Sequence, residues 1–341
     1  MVDTKKAVRL SFVIGLVLAA LYFLWLVRSG LYPFILALLL TYLLNPAVCY
    51  LEQKGFSRLL AIIFIYIILF AVLVLGGSWL VPLLMKDLES FARDLPQIMS
   101  KSEELIYLLQ NQYQNSALPY SMRVAIDNSL MSFERDIQLV ITDVANGIVN
   151  LMSHSVGLAI TPILAFYLLH DWREIREQLL TMLPGHWRHE TVLIAKDIDK
   201  VLNGVIRGQI TVAIIVGILV SSGLYFLKVP FALLIGILAG LLDIIPYFGA
   251  VIGATPAVTI ALLESPWLAV KVALLFLVIH QLEGTIIGPK ILGESVGLHP
   301  LSVIFFLFAG GELWGLIGML LGVPLAAVAK VIIKHCIKLL V

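Results

Sequence analysis

Long apolar runs without a single charge, set between short charged stretches, dominate the chain. Residues 10–27, 59–84, 144–169 and 231–242 contain no Asp, Glu, Lys or Arg. A helix rises about 1.5 Å per residue, so roughly 20 apolar residues bridge a hydrocarbon layer about 30 Å thick. Inside lipid the backbone must satisfy its own hydrogen bonds, which leaves helices or closed barrels. Barrel strands alternate polar and apolar positions, and these runs do not. The pattern predicts an all-α membrane protein whose first four spans lie near 10–27, 31–50, 59–84 and 145–169. The first run follows Lys5, Lys6 and Arg9 like a signal peptide. It is longer than the apolar region of such a peptide, no small-x-small cleavage site follows, and it is expected to be retained.

Residues 86–144 follow another rule. Leu88, Phe91, Leu95, Ile98, Ser102, Leu105 and Leu109 recur at alternating steps of three and four, as do Ile126, Leu130, Phe133, Ile137, Val140 and Val144. Such heptad stripes belong to helices packing at 3.5-residue periodicity. The polar stretch 111–116 and Pro119 would turn the chain between them. The stripes fit either a two-helix arm folded on itself or a contact between protomers. Residues 171–207 read as two amphipathic helices broken at Pro184-Gly185, with Ile194, Ile198, Val201 and Val205 on one face.

From residue 208 the chain repeats one plan twice. An ordinary span, 209–227, leads into a Gly- and Pro-interrupted apolar segment, 231–262; a second span, 266–286, leads into another, 301–327. Four regions follow: 1–85 with three transmembrane helices, the helical arm 86–144, 145–207 with a fourth span and cytoplasmic helices, and a transport half 208–341. If the interrupted segments cross, the chain has eight spans. If they re-enter, it has six transmembrane helices and two helical hairpins. Lys and Arg collect at the N-terminus, at Lys54 and Arg58, along 173–207 and at Lys330, Lys334 and Lys338, which gives an N-in, C-in topology with the arm outside. Re-entry puts Lys290 on the cytoplasmic side and makes the two halves inverted repeats, so hairpins are favoured.

Composition agrees. Apolar residues make up 60% of the chain and charged residues 13%; mean hydropathy is +1.01. Soluble domains carry about twice that share of charge. A net charge of +1 argues against nucleic acid as a partner. Cys49 and Cys336 give no disulfide framework and read as apolar fillers. His186, His189 and Glu190 resemble a metal site only in spacing, since no further ligand is in view. No cofactor or metal is expected.

The candidate chemistry lies in the interrupted segments. Freed backbone groups at membrane depth are tolerated only inside protein or against water, and paired broken segments point to a transporter's binding site. Each break holds one carboxylate: Asp243 in Asp243-Ile-Ile-Pro246-Tyr247-Phe-Gly249, and Glu312 in Gly310-Gly311-Glu312-Leu-Trp314-Gly315. A charge at mid-membrane costs about 2.5–3.5 kcal/mol even on insertion scales, so it usually faces a cavity. Thr255, Pro256, His280, Gln281 and Glu283 complete the candidate substrate or ion path. Structural hydrogen bonding to freed N–H groups is the alternative role for the two acids.

Spaced matches over nearly the whole chain resemble the autoinducer-2 exporter family of prokaryotic membrane transporters. They are Asn45-Pro46, Arg207-Gly208-Gln209, the stretch from Asp243 to Pro256, Gln281-Leu-Glu283, Pro289-Lys290-Ile-Leu-Gly293, Leu298-His299-Pro300-Leu301, and Gly310 to Leu325. The resemblance implies a homo-oligomer, a pentamer, in the inner (plasma) membrane, with protomers that transport by an elevator-like motion of two helical hairpins. It implies export of the quorum-sensing signal autoinducer-2 for some members and sodium(lithium)/proton antiport for others. A polar organic cargo asks for hydrogen bonds, which Tyr247, Thr255, His280 and Gln281 could supply. Antiport asks for a carboxylate that holds either a proton or an ion, and Asp243, Glu283 and Glu312 are the acids in the right region. A non-transporting membrane scaffold is supported by the heptad arm alone. No G-x-S-x-G, H-E-x-x-H or phosphate loop points to an enzyme, and His154 reads as a helix-packing donor.

Overall fold

A computed structural model describes residues 30–114, 155–181, 185–246, 248–292 and 298–340, with isolated positions at 15, 22, 26, 27 and between 122 and 142. All regular structure among the described residues is helical. The first span, the start of the fourth, His154, the turn at Pro119 and Tyr247 lie outside the described residues.

Helix α1 (Tyr32–Gln53) opens with Pro33 in its first turn, where the missing N–H costs nothing. It closes through Gly55, whose φ of 95° lets the N–H groups of Lys54, Gly55 and Phe56 reach back to Leu51 and Glu52. The chain then enters α2 (Arg58–Gln114), an unbroken helix of 57 residues despite Pro82 and Pro96. It is about 85 Å long at the standard rise. The third span and the first arm helix are therefore one rod. Its first turns pack on α1 and on α3 (Ser155–Thr181): Ala61 and Ile62 bury against Leu44, Val48 and Leu169. Tyr66 there donates its hydroxyl hydrogen to the Pro162 carbonyl at 2.7 Å. Residues 70–75 stand largely exposed, and nothing approaches Gly76. Farther on, Phe91 and Ile98 bury in a second core built from the C-terminal half. Through Phe91, Leu95 and Ile98 the first heptad stripe thus has a partner that neither sequence reading named, while most of the second stripe lies outside the described residues. The first stripe packs on the C-terminal half of its own chain.

Helix α4 (Gly185–Phe226) merges the second amphipathic segment and the span 209–227 into one 42-residue rod. No break occurs at Arg207, where a boundary was expected, because the stretch around it contains no Pro, and its cap-type residues Asn203 and Thr211 donate back to the Asp199 and Arg207 carbonyls of the same helix. The charged residues between Arg188 and Arg207 mark its first half as lying outside the bilayer. That half meets α1 through Tyr42, whose hydroxyl donates to Asp199 at 2.9 Å, and through Arg207, which donates to the Leu43 carbonyl at 3.4 Å. A reversal with Lys228 and Phe231 both at φ 58° starts the chain back along α4.

Both interrupted segments are helical hairpins. The first pairs α5 (Ala232–Asp243) with α6 (Phe248–Glu264). Gly253 rests on Ala239 and Gly249 on Asp243, an antiparallel register that turns at Pro246. The 12 residues of α5 reach about 18 Å, well short of a bilayer core. A helix α7 (Pro266–Leu282) follows and continues through a π-turn at Glu283–Ile287 into α8 (Gly288–Leu292). The second hairpin is α9 (Pro300–Leu340), interrupted at Trp314 (φ −136°, ψ 16°) and Gly315 (φ 61°, ψ −140°). Gly310 lies against Gly318, and Gly322 against Phe306 and Leu307, so its arms run back to back. Its returning arm lays Val323 and Ala327 on Val205 of α4.

Five described stretches are long and apolar enough to cross a membrane: Tyr32–Gln53, Arg58–Lys101, Arg188–Phe226, Pro266–Ile291 and Leu301–Ile337. The last is the two arms of a hairpin taken together, because the backbone at Trp314 and Gly315 is not helical. The chain is a multi-pass helical membrane protein.

Candidate transport site at the first hairpin tip

The site is built on a seam of small residues. On α5, Gly236-Ile-Leu-Ala-Gly240 faces Ala213, Gly217 and Ser221 of α4. Backbone meets backbone there: a Cβ on Gly240 would sit 2.8 Å from the Ala213 carbonyl oxygen and 2.9 Å from the Gly217 Cα. Without a hydrophobic driving force between helices in lipid, such close approach is what holds them together.

At the inner end of the seam α5 stops at Asp243. Gln209 of α4, 9% exposed, donates its Nε2 hydrogen to the Asp243 backbone carbonyl at 2.9 Å. The Asp243 side chain is completely buried. It lies across Gly249, whose lack of a side chain leaves it room: a Cβ there would be 2.5 Å from Oδ1. Neither Asp243 carboxylate oxygen has a hydrogen-bond partner among the described residues. Pro246 is half-buried in the turn beneath it. Pro256 is buried in α6, where it removes the N–H that would bond the Ile252 carbonyl, while Thr255 is exposed.

A second acid stands nearby. Glu283 is an electrostatic neighbour of Asp243, and its Oε2 is likewise buried without a hydrogen-bond partner. His280 Nδ1 lies 3.6 Å from that oxygen, an ion-pair separation too long for a hydrogen bond. Glu283 opens the π-turn, in which the Gly288 N–H reaches the Glu283 carbonyl; π-turns inside α-helices are frequent at functional sites. Gln281 and His280 are exposed, and Thr285 donates to the Gln281 carbonyl. Ionised carboxylates deprived of water and donors are costly. Asp243 buried beside a part-buried Glu283 can share a proton or hold a cation.

The structure thus gathers Asp243, Pro246 and Gly249 at one tip, with Glu283 and His280 beside it. Gly310, Gly311 and Glu312 belong to the other hairpin. There Gly310 is buried, Gly311 half-buried and Glu312 exposed. The two acids that sequence symmetry pairs therefore differ sharply in environment. Gln209, which the sequence marks only through the family resemblance, touches the site directly. A lone amide opening an apolar span was the available signal. Asp87 was missed as well. Its Oδ2 accepts the Leu234 N–H at 3.3 Å, on a helix whose Phe231 N-cap offers no side-chain bond.

The sequence that folds into this arrangement matches a known family along nearly its whole length. Residues 14–338 fit the description AI-2E family transporter. The chain belongs to that family. Among the relatives of this AI-2E family member, YrrI of Bacillus subtilis (strain 168) is 31% identical over 320 residues, covering 92% of this chain and 89% of its own. YueF of the same organism is 27% identical, covering 93% and 87%. PerM of Escherichia coli (strain K12) is 27% identical, covering 89% and 87%. The first two are named as transport proteins and PerM as a permease, and none of the names gives a cargo. Membership makes this chain a membrane transport protein with a small-molecule or ion substrate.

Proposed function

We propose that the protein is a secondary transporter of the inner (plasma) membrane that exports a small polar molecule of the autoinducer-2 type. In this reading Asp243, Pro246, Tyr247, Gly249, Thr255 and Pro256 of the first hairpin line the path. His280, Gln281 and Glu283 form its wall, and Gly310, Gly311 and Glu312 bring in the second hairpin. One observation carries it: a fully buried, unpartnered carboxylate at the tip of a hairpin too short to cross. A structural acid would be bonded to something. A buried group with free lone pairs serves a visiting proton, ion or hydroxyl group.

The two hairpins would work as gates in an elevator-like motion, entering the bilayer from opposite faces in an N-in, C-in protomer. Family resemblance supports a homo-oligomer, a pentamer, as the working assembly. The Asp243–Glu283 pair favours a second reading, sodium(lithium)/proton antiport, in which cation entry displaces the proton that one carboxyl group holds. The purified protein in liposomes tests both. Export predicts flux of autoinducer-2 that persists down its gradient in Asp243→Asn. Antiport predicts a sodium-dependent internal pH change that disappears in that variant. Absence of both signals from the parent protein would remove the transport reading.

A further inference from the structure

We infer that Gln209 is a positioning residue for this site: by clamping the Asp243 carbonyl to α4, its amide fixes where the Asp243 carboxyl group stands. The inference rests on the transport reading above for its functional part, and its geometric part stands alone.

The last carbonyls of a helix have no partner within it. At the end of α5, the Ile244 N–H reaches the Leu241 carbonyl at 3.4 Å and the Ile245 N–H reaches that of Leu242 at 3.0 Å. The next carbonyl is that of Asp243, in a place closed to water. Gln209 supplies its donor. The direction of this bond is fixed by chemistry, because a carbonyl oxygen accepts only, so the Gln209 NH₂ must face it.

Gln209 is also the end member of a stripe. Positions 209, 213, 217 and 221 are spaced four apart on α4 and lie on one face. Three of them meet α5 as small residues in van der Waals contact, and Gln209 meets it through a directed bond. The seam sets the distance between the helices, and the amide sets where the tip stops along it. The Asp243 side chain has no hydrogen bond of its own, so its position is inherited from its backbone. Loosening that backbone would move the carboxyl group relative to its acidic neighbour Glu283 and to His280 beyond it.

The test uses Gln209→Leu, which keeps the bulk and removes the donor, and Gln209→Glu, which keeps the shape and donates only when its carboxyl group is protonated. Full-length protein is reconstituted and assayed with two probes, a sodium gradient read by an internal pH dye and labelled autoinducer-2, between pH 5 and 8.5. Amide hydrogen exchange over 241–245 is followed on the same samples. The expected result has three parts. Gln209→Leu loses at least tenfold in flux at every pH, with unchanged yield and assembly. Its 241–245 amides exchange at least tenfold faster. Gln209→Glu is as poor as the Leu variant at pH 8.5 and recovers flux on acidification, a pH profile that lost packing would not produce. Parent-like flux in Gln209→Leu, or a parent-like pH profile in Gln209→Glu, overturns the inference while leaving the transport reading intact. If the parent carries neither probe, the transport reading fails, and the exchange rates alone decide the positioning role: unchanged exchange overturns it too. Should the Leu variant not fold, the isosteric Glu variant carries the same decision.

Discussion

Adding one methyl group at Gly240 probes the seam that places the site. In Gly240→Ala the new Cβ falls 2.8 Å from the Ala213 carbonyl oxygen and 2.9 Å from the Gly217 Cα, both backbone atoms with no rotamer to yield. Comfortable separations are about 3.5–4.0 Å, so α4 and α5 must part by about 0.5–1 Å. A gap of that size forfeits a quarter to a half of each dispersion contact along the seam. Overpacking of this kind costs about 1–3 kcal/mol. Against it stands the helix preference of Ala over Gly, worth up to about 1 kcal/mol. The expected net loss is about 1–2 kcal/mol, with transport falling as the Gln209–Asp243 bond is stretched. Gly76→Ala supplies the control, since nothing lies within 4 Å of that position. It should gain stability by roughly 0.5–1 kcal/mol from propensity alone. Unfolding of the purified proteins in detergent, by heat and by SDS titration, gives the comparison. If Gly240→Ala is stabilised as much as Gly76→Ala, the backbone seam does not exist as described.

Four further outcomes are expected. Asp243→Asn should abolish proton-coupled flux, whereas Glu312→Gln at its exposed position should keep a substantial fraction; equal losses in liposome assays would show that the hairpins share the coupling step. Phe91→Ala removes a ring that is 4% exposed and stands edge-on to Phe231 at 5.3 Å, so it should destabilise by about 3–5 kcal/mol. Lys101→Ala, which breaks the exposed 2.8 Å pair with Glu264, should cost under about 1 kcal/mol, and nothing at 1 M salt. Finally, the hydrogen bond from His335 holds the Asp197 carboxyl group below its ordinary value. A depressed carboxylate stabilises the fold above its unfolded pKa of about 3.9 and loses that effect as pH falls through the depressed value. Asp197→Asn should therefore lower the midpoint of thermal unfolding slightly at pH 7 and match the parent protein at strongly acidic pH.

Much of this architecture was legible because lipid imposes a simple rule. Charge-free runs of the right length had to become helices, and Gly and Pro within 231–262 and 301–327 had to mark breaks. Both breaks are there, at Pro246 and at Trp314–Gly315. Hydropathy reads solvent, however, and says nothing of whether a helix continues past the membrane surface. The end of apolarity near residue 84 and its onset near 209 looked like element boundaries, yet α2 and α4 run through both. Pro82 and Pro96 did not stop α2, since each removes a single backbone bond from a helix of 57 residues. Heptad spacing told which face of the arm was apolar but not what would cover it. At the site, the sequence marked Asp243 through its broken helix. It could not separate Asp243 from Glu312, because burial depends on what the hairpin packs against. The role of Gln209 needed coordinates, since its partner is a backbone atom 34 positions along the chain.

The reach of α2 has a consequence for how the molecule is made. Its far turns, around Phe91 and Ile98, are completed by residues such as Val212, Phe231 and Phe276. At roughly 5–20 residues per second, a ribosome finishes Phe91 about 7–28 seconds before Phe231 leaves it. Through that interval an apolar stripe stands open with its seat not yet synthesised. The acidic and polar positions between its apolar ones keep the waiting rod soluble until the seat arrives.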